Sequence, residues 1–153
     1  MYIFKLHTKP ESLVGYESIH NNNPRFFWDK YKNIPEELKK REKYIADEAE
    51  YAYEYAKSIL KKPWPKGEDA IAKSILYSYL YARYVLKGPF PAGEAIIATH
   101  PNYSLEYAKD VLKGPFPAGE WAIANGFSEP RVYAKKVLKK DFYYNGQLIA
   151  KAE

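Results

Sequence analysis

Residues 81–98 read YARYVLKGPFPAGEAIIA, and residues 107–124 read YAKDVLKGPFPAGEWAIA, displaced by 26 positions. A fixed period of this length leaves few architectures open besides a tandem repeat of one supersecondary unit. The columns persist along the chain. Tyr55, Tyr81, Tyr107 and Tyr133 align, each followed by alanine. Leu60, Leu86, Leu112 and Leu138 align, as do Ile71, Ile97 and Ile123. Gly67, Gly93 and Gly119 align, each followed by glutamate. The register fades outward through Glu42 and Ile45 on one side and Ile149 and Ala150 on the other. Units are therefore expected at about 41–66, 67–92, 93–118 and 119–144, with a partial copy at 145–153. The repeat region spans 35–153, and residues 1–34 read as an N-terminal cap.

One unit can be read as chemistry. Between Asn102 and Gly114, the polar residues Glu106, Lys109, Asp110 and Lys113 recur at helical spacing, and apolar residues fill the rest. This is an amphipathic helix. Asn102 and Ser128 are expected to cap its start. Gly88 and Gly114 are expected to end it in the left-handed region, with Pro89 and Pro115 forbidding continuation. A shorter helix follows, with its glutamate in the first turn, where the helix dipole favours an anion. The turn aromatics Trp64, Phe90, Phe116 and Phe142 are placed to plug the seams between units. Neither helix buries its apolar stripe alone, so successive hairpins must stack. The expected fold is all-α: a short right-handed α-solenoid, on the order of 40 Å long if layers lie about 10 Å apart. In the cap, MYIFKLHT is expected to form a strand with Tyr2, Phe4 and Leu6 on one face. Phe26, Phe27 and Trp28 would cover the open end, and helix resumes from about Pro35.

Several function classes are disfavoured. The 153 residues contain no cysteine, hence no disulfide framework and no thiolate chemistry, which fits a reducing compartment. No basic lead with a long apolar run opens the chain, and no stretch reaches membrane-spanning length, so the expected location is the cytoplasm, without a membrane partner. His7, His20 and His100 are scattered, without metal-ligand spacing, and read as surface or loop residues. There is no phosphate-binding glycine loop and no nucleophile elbow. The column Glu68, Glu94, Glu120 is explained by the helix dipole, and its members are too far apart to share a proton. No enzyme activity, cofactor or metal is expected.

The surface carries more signal. Lys57, Arg83, Lys109 and Lys135 form one column, and Lys61, Lys87, Lys113 and Lys139 form another, one helical turn further on. Together they make a basic ridge suited to an acidic protein groove or a phosphate backbone. A net charge of +5 leans the same way. Charge rows on exposed helices also serve solubility alone, and Glu54, Glu106 and Asp110 partly neutralise this one. Tyr51, Tyr77 and Tyr103 form an aromatic column, with Tyr84 nearby; tyrosine is a good binding anchor and equally a core filler with a wet hydroxyl.

The unit Tyr-Ala-x-x-Val-Leu-Lys-Gly-x-Phe-Pro-x-Gly-Glu-x-x-Ile-Ala resembles short helical repeats of bacteriophage and other viral proteins and of some bacterial ones. The likeness covers roughly residues 41–150. It implies an α-solenoid and a phage accessory protein acting in the host cytoplasm, without shared catalytic residues. The leading expectation is a non-enzymatic scaffold that binds a protein partner, specifically an inhibitor or modulator of a host defence system. The alternatives are nucleic-acid or nucleotide binding along the basic ridge, and a structural virion component. Oligomeric state and the face used are left open by the sequence.

Overall fold

The computed structural model describes residues 23–153. The strand expected in MYIFKLHT, with His7 and His20, lies outside the described residues. The chain is mostly helical and closes in a small two-stranded sheet. Helix α1 (Pro24–Tyr31) lies in the N-terminal segment, ahead of the helix expected from about Pro35. Its sequence carries the start signals: Asn23 caps the Phe26 N–H, and Pro24 stands in the first turn. Phe27 is buried against Tyr44, and Trp28 meets Tyr51. Helices α2 (Pro35–Lys39) and α3 (Glu42–Ile45) lead into it.

From there four longer helices alternate with three shorter ones. The longer ones are α4 (Ala49–Glu54), α6 (Ile75–Tyr81), α8 (Pro101–Glu106) and α10 (Glu129–Val132). Each changes pitch midway and continues as a π-helical segment: Tyr55–Leu60, Ala82–Leu86, Tyr107–Leu112 and Tyr133–Leu138. The shorter ones are α5 (Pro65–Ile71), α7 (Pro91–Ile97) and α9 (Glu120–Ala124), the last entered through a 3-10 turn. The core consists of the repeat columns. The tyrosines of the Tyr55 column, the alanines after them and Ile45, Ile71, Ile97 and Ile123 are all sealed from solvent.

Two local expectations are corrected. The left-handed residue that ends each long helix is a lysine, not a glycine: Lys61, Lys87, Lys113 and Lys139 all have φ of 53–54°. Gly88 and Gly114 follow them without positive φ, and Lys62 and Lys140 do the same task. The N–H groups of the lysine and of the next residue converge on one alanine carbonyl, Ala82 in the second unit and Ala108 in the third. The glycines that matter sterically are Gly67, Gly93 and Gly119. A Cβ on Gly93 would lie 2.6 Å from the Phe90 ring and 2.7 Å from Ser78. Close approach of the turn and the long helix therefore forbids a side chain there. Finally, α8 is capped at His100 and Pro101, two residues before the expected Asn102, and Ser128 stands before α10 without a side-chain capping bond.

The partial copy at 145–153 does not form a helix. Strands β1 (Phe142–Tyr144) and β2 (Gln147–Ala150) pair antiparallel across Asn145-Gly146. Both turn residues have positive φ, 49° and 77°, as a two-residue hairpin of this hand requires. Phe142 still fills its expected place, buried against Tyr133.

Candidate functional site

The carboxylate column has a structural occupation. Each glutamate accepts a hydrogen bond from the tyrosine hydroxyl thirteen residues later: Glu42 from Tyr55, Glu68 from Tyr81, Glu94 from Tyr107 and Glu120 from Tyr133, at 2.8–3.0 Å. Three of those hydroxyls also accept a buried backbone N–H, from Trp64, Phe90 and Phe116, at 2.7–2.9 Å. The same tyrosine rings pack on the turn aromatics Trp64, Phe90, Phe116 and Phe142 at centroid distances of 4.8–5.1 Å. Tyr81, Tyr107 and Tyr133 thus lock the turn and short helix before them to the turn after them, while Tyr55 joins the Glu42 helix to the turn at Trp64. Burial pushes these four phenols well above their ordinary value, and hydrogen bonding to a carboxylate adds to this. The glutamates also sit in the first turn of their helices, as the dipole argument expects.

The two basic columns are exposed, and successive π segments lie side by side. They are not equivalent. In the first column, Arg83 pairs with Asp110 at 2.7 Å and meets the Tyr79 hydroxyl. Lys109 pairs with Glu106 at 2.6 Å and lies 4.0 Å from Asp110. Lys57 lies 4.0 Å from Glu54 and over the Tyr53 ring. Lys135 is exposed in the last unit. In the second column Lys61, Lys87, Lys113 and Lys139 project from left-handed backbone at the helix ends. The ridge is therefore interrupted at its centre by Asp110 and Glu106.

Of the tyrosine candidates, Tyr51, Tyr77 and Tyr103 are half-buried in a ladder of rings with Trp28, Tyr53 and Tyr79. Burial pushes the phenols of Tyr51 and Tyr77 upward, and that of Tyr79 up to about 12. Tyr84 alone of the four is exposed, with Lys57 and Arg83 at 5.7 and 5.2 Å from its ring centroid. His100 lies in the turn before α8, half-buried against Tyr103.

Sequence reasoning missed three exposed aromatics among the described residues: Trp121 on α9, Tyr143 on β1, and Phe127 in the loop before α10, the last wholly solvent-exposed. A signal for Trp121 was present in the repeat itself. Its column holds Lys43, Asp69 and Ala95 in the other units, so the fold does not call for a large ring there. Phe127 lies beside β2 in a surface recess with Pro130, Arg131 and Ile149.

Among the described residues, no helix is long and apolar enough to cross a membrane, and no group of three or more acidic, histidine or cysteine side chains is placed to hold a metal ion. No protein-family model, curated protein or solved structure matches the chain.

Proposed function

We propose that the chain is a non-enzymatic protein-binding scaffold: a short α-solenoid whose stacked hairpins present side chains on a rigid surface. The observation that carries this reading is the exposure of Trp121 and Phe127 in the last unit. Large aromatic rings on a surface are the commonest anchors of protein interfaces. The columns support the assignment, because Asp69 and Ala49 occupy the places of Trp121 and Phe127 in other units without loss of the repeat. The recurring carboxylates favour a structural over a catalytic role, since tyrosine hydroxyls already engage them. The resemblance to phage repeat proteins extends the proposal to an inhibitor or modulator of a host system.

The test is capture from a bacterial host lysate, divided into nuclease-treated and untreated halves. A protein retained in both halves by the wild type, and lost by the Trp121→Asp, Phe127→Ala double variant, supports the scaffold. Equal retention by the variant, or retention only without nuclease, overturns it.

A further inference from the structure

Between the π segments Tyr55–Leu60 and Ala82–Leu86 lies a surface recess of about 360 Å³. Lys57, Lys61, Lys62 and Lys87 surround it, with Tyr84 on its wall and Val85 beside the ring. No carboxylate lines it. Glu54 approaches Lys57 at 4.0 Å, leaving a large excess of positive charge around one aromatic ring. Like charges gathered in this way repel, and an anion in the recess relieves the repulsion.

The repeat provides a comparison for this recess. At the position of Tyr84 the other units carry Ser58, Asp110 and Lys136, and at the position of Lys62 they carry Gly88, Gly114 and Lys140. At the next seam Asp110 therefore stands where Tyr84 stands here, and it neutralises Arg83 at 2.7 Å. The combination of four lysines with an aromatic ring belongs to the first seam. Its confinement there argues against a continuous phosphate track, because the neighbouring seam breaks the track with a carboxylate. A volume of this size lies at the small end of ordinary small-molecule sites.

We infer that this recess binds a nucleoside polyphosphate, the phosphates held by Lys61, Lys62 and Lys87 and the base stacked on Tyr84. Ammonium–phosphate bonds supply charge-assisted contacts, and ring stacking is tolerant of base identity. The recess shares no residue with the exposed aromatics of the last unit, so either reading can fail alone.

Calorimetric titration of the full chain with ATP and with inorganic tripolyphosphate tests this. ATP should bind more tightly than tripolyphosphate, and both should weaken as salt rises. Tyr84→Ser, which installs the residue of the preceding unit, should weaken ATP about 5- to 100-fold, to the level of tripolyphosphate, while leaving tripolyphosphate unchanged. Lys61→Gly with Lys62→Gly should weaken both ligands at least about tenfold. Glycine suits the left-handed position of Lys61 and already stands in the column of Lys62, as Gly88 and Gly114, so this variant is expected to fold. Lys113→Gly, outside the recess, should change neither. No ATP binding at millimolar concentration, binding indifferent to Tyr84→Ser, or a short oligothymidylate binding more tightly than ATP would each overturn the inference, the last in favour of a single strand.

Discussion

Replacing Tyr107 by phenylalanine keeps the ring against Phe116, 5.0 Å away, and removes only the hydroxyl. Two bonds are lost. The Phe90 N–H, buried and 2.8 Å from that oxygen, is left without an acceptor. Leaving such a group unsatisfied costs about 1–3 kcal/mol. The Glu94 carboxylate loses a donor at 2.8 Å, but it is only half-buried and recovers water, so its share is smaller. The expected total is about 2–3 kcal/mol, or a fall in Tm of roughly 5–10 °C for a chain of this size. Urea unfolding followed by circular dichroism measures it, with Tyr84→Phe as the exposed control, expected within about 0.5 kcal/mol of wild type. The four tyrosines also form an internal series. Tyr55 bonds Glu42, while the N–H in the corresponding place, that of Leu38, bonds the Ile34 carbonyl instead. Tyr55→Phe should therefore cost about 1 kcal/mol less than the same change at Tyr81, Tyr107 or Tyr133. A Tyr107→Phe variant as stable as wild type, or an equal loss at all four positions, would refute the reasoning.

Two further outcomes follow from the same columns. Lys113→Gly should stabilise the fold by about 0.5–1 kcal/mol, because relief of left-handed strain, about 1–2 kcal/mol, exceeds the added freedom of the unfolded chain, about 0.4–1 kcal/mol; the urea midpoint reports it, and a loss of stability would show that the lysine side chain is needed there. The buried tyrosines should make the protein alkali-labile. Their folded-state values are raised, so their stabilisation is complete below the unfolded value near 10 and is lost as pH climbs above it, by about 1.4 kcal/mol per pH unit for each phenol. Phenolate absorbance should rise in two stages, exposed rings first and the buried set together with loss of helix; a single smooth titration that leaves the helix intact would count against this.

The mostly helical fold and the buried columns were legible because side chains that repeat at a fixed interval tend to occupy equivalent places. Tyr107 and Ala108, read on the apolar side of an amphipathic helix, Phe116, read as a plug between units, and Ile97, read as a column member, are all buried. The hydroxyl bonds were not legible, since offsets of 13 and 17 residues are set by how hairpins stack and not by any local period. The π-helical turns escaped because, over a single turn, widening by one residue scarcely alters an apolar pattern. The left-handed lysines escaped because the glycine beside them is the usual occupant of such a position. At the end of the chain, Asn145-Gly146 signalled a hairpin, but Ile149 and Ala150 matched their columns and drew the segment into the repeat. That match still has a physical basis: Ile149 and Ala150 pack on the core although they now lie on a strand.

A repeat separates the requirements of folding from those of function more cleanly than a single domain does. A residue present in every unit, such as the tyrosine of the Tyr55 column, is accounted for by the packing it completes. A residue present in one unit alone, on an exposed column, is not demanded by any seam. Trp121 stands where lysine, aspartate and alanine suffice, and Tyr84 stands where serine, aspartate and lysine suffice. Both are exposed. The eight basic positions that first drew attention recur in every unit, and for that reason say less about function than these two. Their rows are cut by Asp110, and what distinguishes the first seam is the ring that replaces this carboxylate. The informative surface lies where the repeat departs from itself.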